Sequence, residues 1–117
     1  MSVSTTIQTA LVKTSEVLGA DLVDRGGHKL GTIRELFLDP VSGQAHFAIA
    51  EAGGLLGSGG KYHPVPWSLL QYDAGRRAYV APFDKDRLKA GPAYDRDQIN
   101  SNAYGWDSQV QTYYAAP

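Results

Sequence analysis

Residues 30–52 read LGTIRELFLDPVSGQAHFAIAEA, and they decide the fold. In the middle, DPVSG at 39–43 is a tight-turn sequence, because proline fixes φ at the second position and glycine ends the reversal. After the turn, residues 45–52 alternate between the two faces of a strand. The stretch therefore predicts a hairpin of two long strands.

The first strand of this hairpin is expected to contain a β-bulge. Its apolar residues fall at helical spacing, but the turn that follows favours a strand. An extra residue near Arg34-Glu35 would bring Ile33, Leu36 and Leu38 onto one face. The sequence therefore predicts a bulged strand with these three side chains on one face.

Outward from the hairpin, short apolar segments alternate with turn residues from Leu18 to Pro92. A Gly-rich stretch at 53–60 forms one break, and two prolines within residues 62–67 remove amide donors and favour a sheet edge. The pattern predicts a mainly β (all-β) fold, a small, tightly turned β-barrel. Short helices are expected in the C-terminal tail.

The chain divides into three predicted parts. Residues 1–13 lack periodicity and are expected to form a flexible N-terminal arm, residues 14–92 form the barrel domain, and residues 93–117 form an aromatic, partly helical extension. Four of the seven tyrosines and one of the two tryptophans lie after Pro92. The extension is therefore expected to pack against a protein surface, either the chain's own barrel or another chain.

Composition excludes several classes of function. The 117 residues fit one domain, and 11 Lys and Arg balance 12 Asp and Glu, so no surface for the phosphate backbone of a nucleic acid is expected. The sequence contains no cysteine, which excludes disulfides and thiol chemistry. The polar start and the absence of a long apolar run predict no secretory signal and no membrane span, which indicates a cytoplasmic protein.

Motifs for catalysis, cofactors and metals fail on inspection. The Gly-rich stretch does not match a phosphate-binding loop, because Leu55 and Tyr62 stand where such loops need Gly and Ser or Thr. The three histidines, His28, His46 and His63, lie on separate segments without the short spacing of a metal site. No enzyme activity, cofactor or metal is therefore predicted.

Two further patterns have ordinary explanations. Ser68 lacks an elbow motif and a histidine partner, and Asp95 with Asp97 is typical of the start of a helix. Arg76-Arg77, close to Tyr72 and Tyr79, is the one local approximation to an RNA-binding surface, and a solvated hairpin end is preferred.

Two features instead indicate packing against another surface. Ala48 and Ala50 share one strand face, where a solvated face would carry charged residues, so this face is covered either by the chain's own C-terminal segment or by a partner subunit. In the tail, one helix face carries Trp106, Val110, Tyr113 and Tyr114. That face docks on the chain's own barrel or on another chain, or stays disordered.

The turn and core motifs also follow an order seen elsewhere. They are Leu18-Gly19, Leu30-Gly31-Thr32-Ile33, Leu38-Asp39-Pro40, Gly53-Gly54-Leu55-Leu56-Gly57, Lys61-Tyr62, Val65-Pro66-Trp67 and Leu88-Lys89-Ala90-Gly91-Pro92. In this order the chain resembles the PRC-barrel domain family over roughly residues 14–92. The resemblance implies a compact, strongly bent antiparallel β-barrel of about six strands. The family includes the cytoplasmic part of the photosynthetic reaction-centre H subunit, a domain of a ribosome-maturation factor and stand-alone bacterial proteins, and the chain is most similar to the last.

The resemblance carries over no catalytic residues, so the expected function is binding. The sequence predicts a bacterial, non-catalytic adaptor for protein–protein interaction or assembly, with a homodimer as its leading form. The alternatives are a ribosome or RNA-processing adaptor, and a small-ligand or metal-binding barrel. The expected protein-interface residues are Ala48, Ala50, Leu55, Leu56, Trp106, Val110, Tyr113 and Tyr114.

Overall fold

The computed structural model describes residues 11–52, 61–101 and 105–116. The elements in chain order are α1 (Thr14–Val17), β1 (Asp21–Val23), β2 (Lys29–Leu38), β3 (Ala45–Ala52), β4 (Lys61–Pro66), a 3₁₀ turn (Trp67–Leu69), β5 (Gln71–Asp73), β6 (Ala78–Val80), α2 (Lys85–Ala90), α3 (Arg96–Asn100) and α4 (Trp106–Ala115). The predicted arm, residues 1–13, lies mostly outside the described ranges, as does the Gly-rich stretch.

The strands of the described residues form one sheet in the order β4-β3-β2-β1-β6-β5. All neighbouring strands are antiparallel except β1 and β6, which run parallel. The mainly β fold is therefore confirmed, while the prediction of an all-antiparallel, closed barrel is wrong. Strands β2 to β5 lie between β1 and β6 in the sequence. A connection of this length allows β6 to pair with β1 in the parallel direction.

Strand β4 forms one edge of the sheet, and the contacts on its outer side explain why the sheet stays open within the described residues. On the outer edge of β4, Tyr62 exchanges both backbone hydrogen bonds with Tyr94, each 2.9 Å long. Pro64 and Pro66 have no amide hydrogen to offer another strand. The edge is therefore occupied by the C-terminal segment instead of by β5.

The hairpin predicted from residues 30–52 is present as β2 and β3, and its bulge lies where the sequence places it. The register shifts between Ile33 and Glu35, so that Ile33 faces Ala50 and Leu36 faces Ala48. A second irregularity between Phe37 and Leu38 was not predicted. It moves Leu38 off the core face, and the side chain is 51% exposed, so the predicted position of Leu38 is wrong.

A glycine in β2 allows the strands to approach closely at the bend. A Cβ atom on Gly31 would lie 2.7 Å from the backbone oxygen of Glu51, closer than any side chain tolerates. Gly31 is buried and its strand runs on into the bulge. The bend of the sheet at this position therefore requires glycine.

The helices after the sheet begin at residues whose side chains accept hydrogen bonds. Asp84 caps α2 by accepting from the Arg87 amide at 2.9 Å. Asp95 and Gln98 form a reciprocal capping box at the start of α3, where Asp95 and Asp97 predict a helix start. Among the described residues, every helix is too short or too polar to cross a bilayer.

Candidate functional site

Helix α4 covers the Phe47 face of the sheet with its aromatic side chains. Phe37 and Phe47 are cross-strand partners in β2 and β3, and the Trp106 ring lies edge-on to both, with ring centroids 5.1 Å apart in each pair. Tyr94 lies on the same indole at 6.4 Å. Such edge-to-face pairs add to the stabilisation from burial, so α4 is part of the core.

A reciprocal set of contacts, the Arg87–Tyr113 clasp, joins α4 to α2. The Arg87 guanidinium donates to the backbone oxygens of Tyr113 and Ala116 at 3.0 and 2.7 Å, and it lies 4.7 Å from the centre of the Tyr113 ring. In return, the Tyr113 hydroxyl donates to the backbone oxygen of Arg87 at 2.7 Å. A cation at the carbonyl end of α4 also matches the helix dipole.

The predicted interface residues of the tail lie in the core of the chain itself. Val110 is fully buried, Trp106 and Tyr114 are buried, and Tyr113 is half-buried in the clasp. Of the docking modes expected from the sequence, the structure has the tail on its own sheet. That these residues also contact a partner stays a prediction, and Leu55 and Leu56 lie outside the described residues.

The alanine face is buried too, but the tail does not pack on it through Trp106. Ala48 and Ala50 are 1% and 0% exposed, and they alternate with Phe47, so they point to the opposite side of β3. Their cross-strand neighbours are Leu36, Ile33, Val65 and His63. Small side chains fit here because the neighbouring Ile33, Val65 and His63 are themselves buried.

A cleft remains open beside Trp106, where the β2–β3 turn meets the start of α4. It measures about 470 Å³, within the range of ligand and side-chain sites. Phe37, Phe47, Ile99 and Trp106 line it, together with the exposed residues of the turn. Next to this aromatic lining, Leu38 is 51% exposed and Val41 is 95% exposed.

The rim of the cleft carries two carboxylates and an imidazole. Asp39 accepts from the backbone amides of Val41 and Ser42 at 2.8 and 3.2 Å, and these hydrogen bonds lower its pKa, with a smaller contribution from nearby His46. Asp107 is exposed in the first turn of α4. The rim is therefore acidic at neutral pH, around an apolar floor.

Sequence reasoning missed this cleft. The available signal was Val41, a β-branched apolar residue inside a turn where polar residues are the norm. The exposure of Leu38 could not be foreseen, because it depends on the second irregularity in β2.

The three histidines lie on separate elements and have different surroundings. His28 is exposed and bonds Asp24 within its own turn, His46 is exposed on β3, and His63 is buried on β4. Among the described residues, no group of three or more His, Asp or Glu side chains is arranged to hold a metal ion. Each histidine is accounted for by its local surroundings.

Of the two tyrosines near Arg76-Arg77, Tyr72 is partly exposed and Tyr79 is buried. Tyr79 is 4% exposed and is covered by Tyr72 and Trp67, at centroid distances of 4.9 and 5.2 Å. The Arg76 side chain packs over Gly27, close to Asp73 at 3.7 Å. This geometry is that of a solvated hairpin end.

Stability should depend on pH through His63. Burial lowers the pKa of His63, the Lys89 ammonium adds to this, and the backbone carbonyls of Leu88 and Pro92 oppose it only in part. Its Nδ1 atom is buried without a hydrogen-bond partner among the described residues. The unfolded chain therefore binds a proton more readily, and the free energy of unfolding should fall as pH drops below 6.5.

Denaturant unfolding between about pH 7 and pH 4 measures this dependence. His63→Gln should flatten it, whereas His46→Gln, at an exposed position on β3, should leave it unchanged. The lowered pKa values of Asp24 and Asp39 affect stability at lower pH. The stabilisation that these carboxylates contribute is lost only as the pH falls below 3.8, the ordinary pKa of an aspartate. A pH dependence that survives His63→Gln would contradict the assignment.

The two adjacent tyrosines of α4 should respond oppositely to loss of the hydroxyl. The Tyr114 hydroxyl is buried without a hydrogen-bond partner among the described residues, and burial raises its pKa. Tyr114→Phe should therefore be neutral or stabilise the fold by about 1 kcal/mol. Tyr113→Phe removes the hydrogen bond to Arg87 and should cost about 1 kcal/mol. Thermal unfolding of both variants tests the pair, and equal losses would contradict it.

The family model of the PRC-barrel domain matches residues 11–88, which include every strand of the sheet. The chain belongs to the PRC-barrel family. No curated protein sequence matches it. The PRC-barrel match ends within α2, so the rest of the clasp and the aromatic α4 come after it. In this PRC-barrel protein, the cleft therefore lies between the family's β2–β3 hairpin and a segment outside the matched range.

Proposed function

We propose that this PRC-barrel protein is a non-catalytic adaptor that acts by binding another protein, with a second copy of itself as the leading partner. The observation that carries the proposal is the cleft beside Trp106. Exposed Leu38 and Val41 border an aromatic floor there, and contiguous exposed apolar surface is typical of interaction sites.

The surroundings of the titratable groups support a binding role. The shifted carboxyl pKa values belong to Asp24 and Asp39, which accept backbone hydrogen bonds in turns. The shifted values of Tyr79 and Tyr114 come mainly from burial in the core. These groups are spread over separate elements, whereas catalytic groups converge on one cleft.

Self-association is favoured over an RNA partner. Beside Arg76-Arg77, Tyr79 is buried and Arg76 lies close to Asp73, while the cleft is open and apolar with an acidic rim, which repels a phosphate backbone. An RNA-processing role and a bound small ligand or metal remain the sequence-based alternatives, and the bacterial origin and cytoplasmic location stay predictions.

Light scattering of the full-length chain tests the proposal. Over roughly 1 to 100 µM, the mass should rise from one chain towards two, as expected for a dissociation constant in the micromolar range. Since an apolar cleft dominates the proposed contact, the association should persist at high salt. A mass of one chain at every concentration would overturn self-association.

A further inference from the structure

The N-terminal end of the described chain presents one aliphatic and one cationic side chain to solvent. Leu11 is 99% exposed and Lys13 is exposed, whereas Val12 between them packs against the core. Lys13 has extended backbone angles, φ −72° and ψ 148°. The two exposed side chains therefore stand on either side of Val12, which anchors this segment to the core.

A single exposed leucine has no meaning by itself. Here the same chain also carries a surface of matching chemistry, the cleft beside Trp106. Its floor is aromatic, and its rim carries Asp39 and Asp107. An aliphatic side chain two residues before an ammonium-bearing side chain matches an apolar floor bordered by carboxylates.

Leu11 and Lys13 do not fill the cleft of the chain that carries them. Leu11 is 99% exposed, so it is not seated in its own cleft. Lys13 has no ion pair with any described residue. Because each copy carries both halves of the contact, two copies can exchange them around a two-fold axis, and the contact is then made twice.

We propose that Leu11 and Lys13 of one copy dock reciprocally in the cleft beside Trp106 of a second copy. Leu11 lies against the aromatic floor next to Val41, and Lys13 lies between the rim carboxylates Asp39 and Asp107. The inference rests on the self-association proposed above, and it names the surface that makes the contact.

Two single substitutions at exposed positions test the contact without touching the core. Leu11→Asp removes the aliphatic side chain that docks. Val41→Asp places a negative charge at the apolar part of the cleft, where the native valine is 95% exposed. Each should raise the dissociation constant of the dimer at least about tenfold in sedimentation experiments on the full-length chain. Ala74→Asp, at an exposed turn residue outside the cleft, should leave it unchanged.

Mixing the two variants gives the sharper result. A heterodimer of Leu11→Asp and Val41→Asp keeps one intact contact, since the native Leu11 of one copy meets the native cleft of the other. Each variant alone keeps none. The mixture should therefore dimerise at concentrations where neither variant does. A mixture no better than its components would overturn the proposal.

A charge exchange tests the role of Lys13. Lys13→Glu and Asp107→Lys should each weaken the dimer about three- to tenfold, and the double variant should recover most of the loss. Additive losses in the double variant would overturn the Lys13–Asp107 contact.

The outcomes separate this inference from the proposed function. If the wild-type chain is a monomer, both fail. If the wild type dimerises and Leu11→Asp dimerises equally well, self-association stands and only the assignment of this surface is overturned. Another region of the chain then forms the dimer.

Discussion

Replacing Trp106 by alanine is expected to cost about 3–5 kcal/mol of the free energy of unfolding. The indole is 6% exposed and lies edge-on to Phe37 and Phe47, which belong to the two longest strands. Its removal would leave a cavity between α4 and the sheet that the strands cannot close. Denaturant unfolding of the full-length variant measures the loss.

The same experiment separates a core tryptophan from an interface tryptophan. Because the ring contacts of Trp106 are within one chain, most of the loss should already be present in the monomer, at concentrations well below the dimer dissociation constant. Val41→Ala, at a residue 95% exposed on the same cleft, should change the stability of the monomer by less than about 0.5 kcal/mol. A small loss for Trp106→Ala, or one that appears only at high concentration, would contradict the core assignment.

Ala50→Leu is expected to destabilise the fold by about 1–3 kcal/mol, because it overpacks the inner face of the sheet. Ala50 is 0% exposed, and its cross-strand neighbours Ile33 and His63 are also buried. The larger side chain must displace one of them or push β3 away from β2. Thermal unfolding checks the size of the effect.

Ala74→Leu is the matched control for this overpacking. Ala74 is exposed in the turn between β5 and β6, so the same change in volume should alter stability by less than about 0.5 kcal/mol. If Ala50→Leu were tolerated equally well, the alanine face would have free space, and a covering partner would again become the better explanation for its composition.

The hairpin at residues 30–52 shows what could be predicted from the sequence. Strand alternation and turn chemistry are local, so the turn, both strands and the first bulge of β2 could be predicted. The second irregularity of β2 could not, because no local pattern marks it, and the Phe37 ring beside it packs against Trp106, a residue far along the chain. That contact leaves Leu38 at the cleft.

The alanine face and the tail illustrate a second limit. Alternation shows that Ala48 and Ala50 share a face, and helical spacing shows that Trp106 and Val110 share another, but neither pattern tells which surfaces meet. In the structure, Trp106 covers the opposite face of β3, beside Phe47. That the sheet stays open could not be predicted either, because Tyr94 occupies the β4 edge through backbone hydrogen bonds, which any residue can make.

These assignments give each part of the chain a distinct role in the proposed adaptor. The bent sheet and the Arg87–Tyr113 clasp form the rigid framework, which fixes the β2–β3 turn against the start of α4. The surface left for binding is the cleft between them, and its acidic rim selects for a cationic neighbour beside the apolar anchor.

Hydrogen–deuterium exchange of the full-length chain, at concentrations well below and well above its dimer dissociation constant, tests this division directly. We predict that amides of α4 are protected at both concentrations, because α4 belongs to the core of one chain. Amides of Leu11 to Lys13 and of the β2–β3 turn should gain protection only at high concentration. If α4 becomes protected only at high concentration, or if the cleft segments show no dependence on concentration, the account is contradicted.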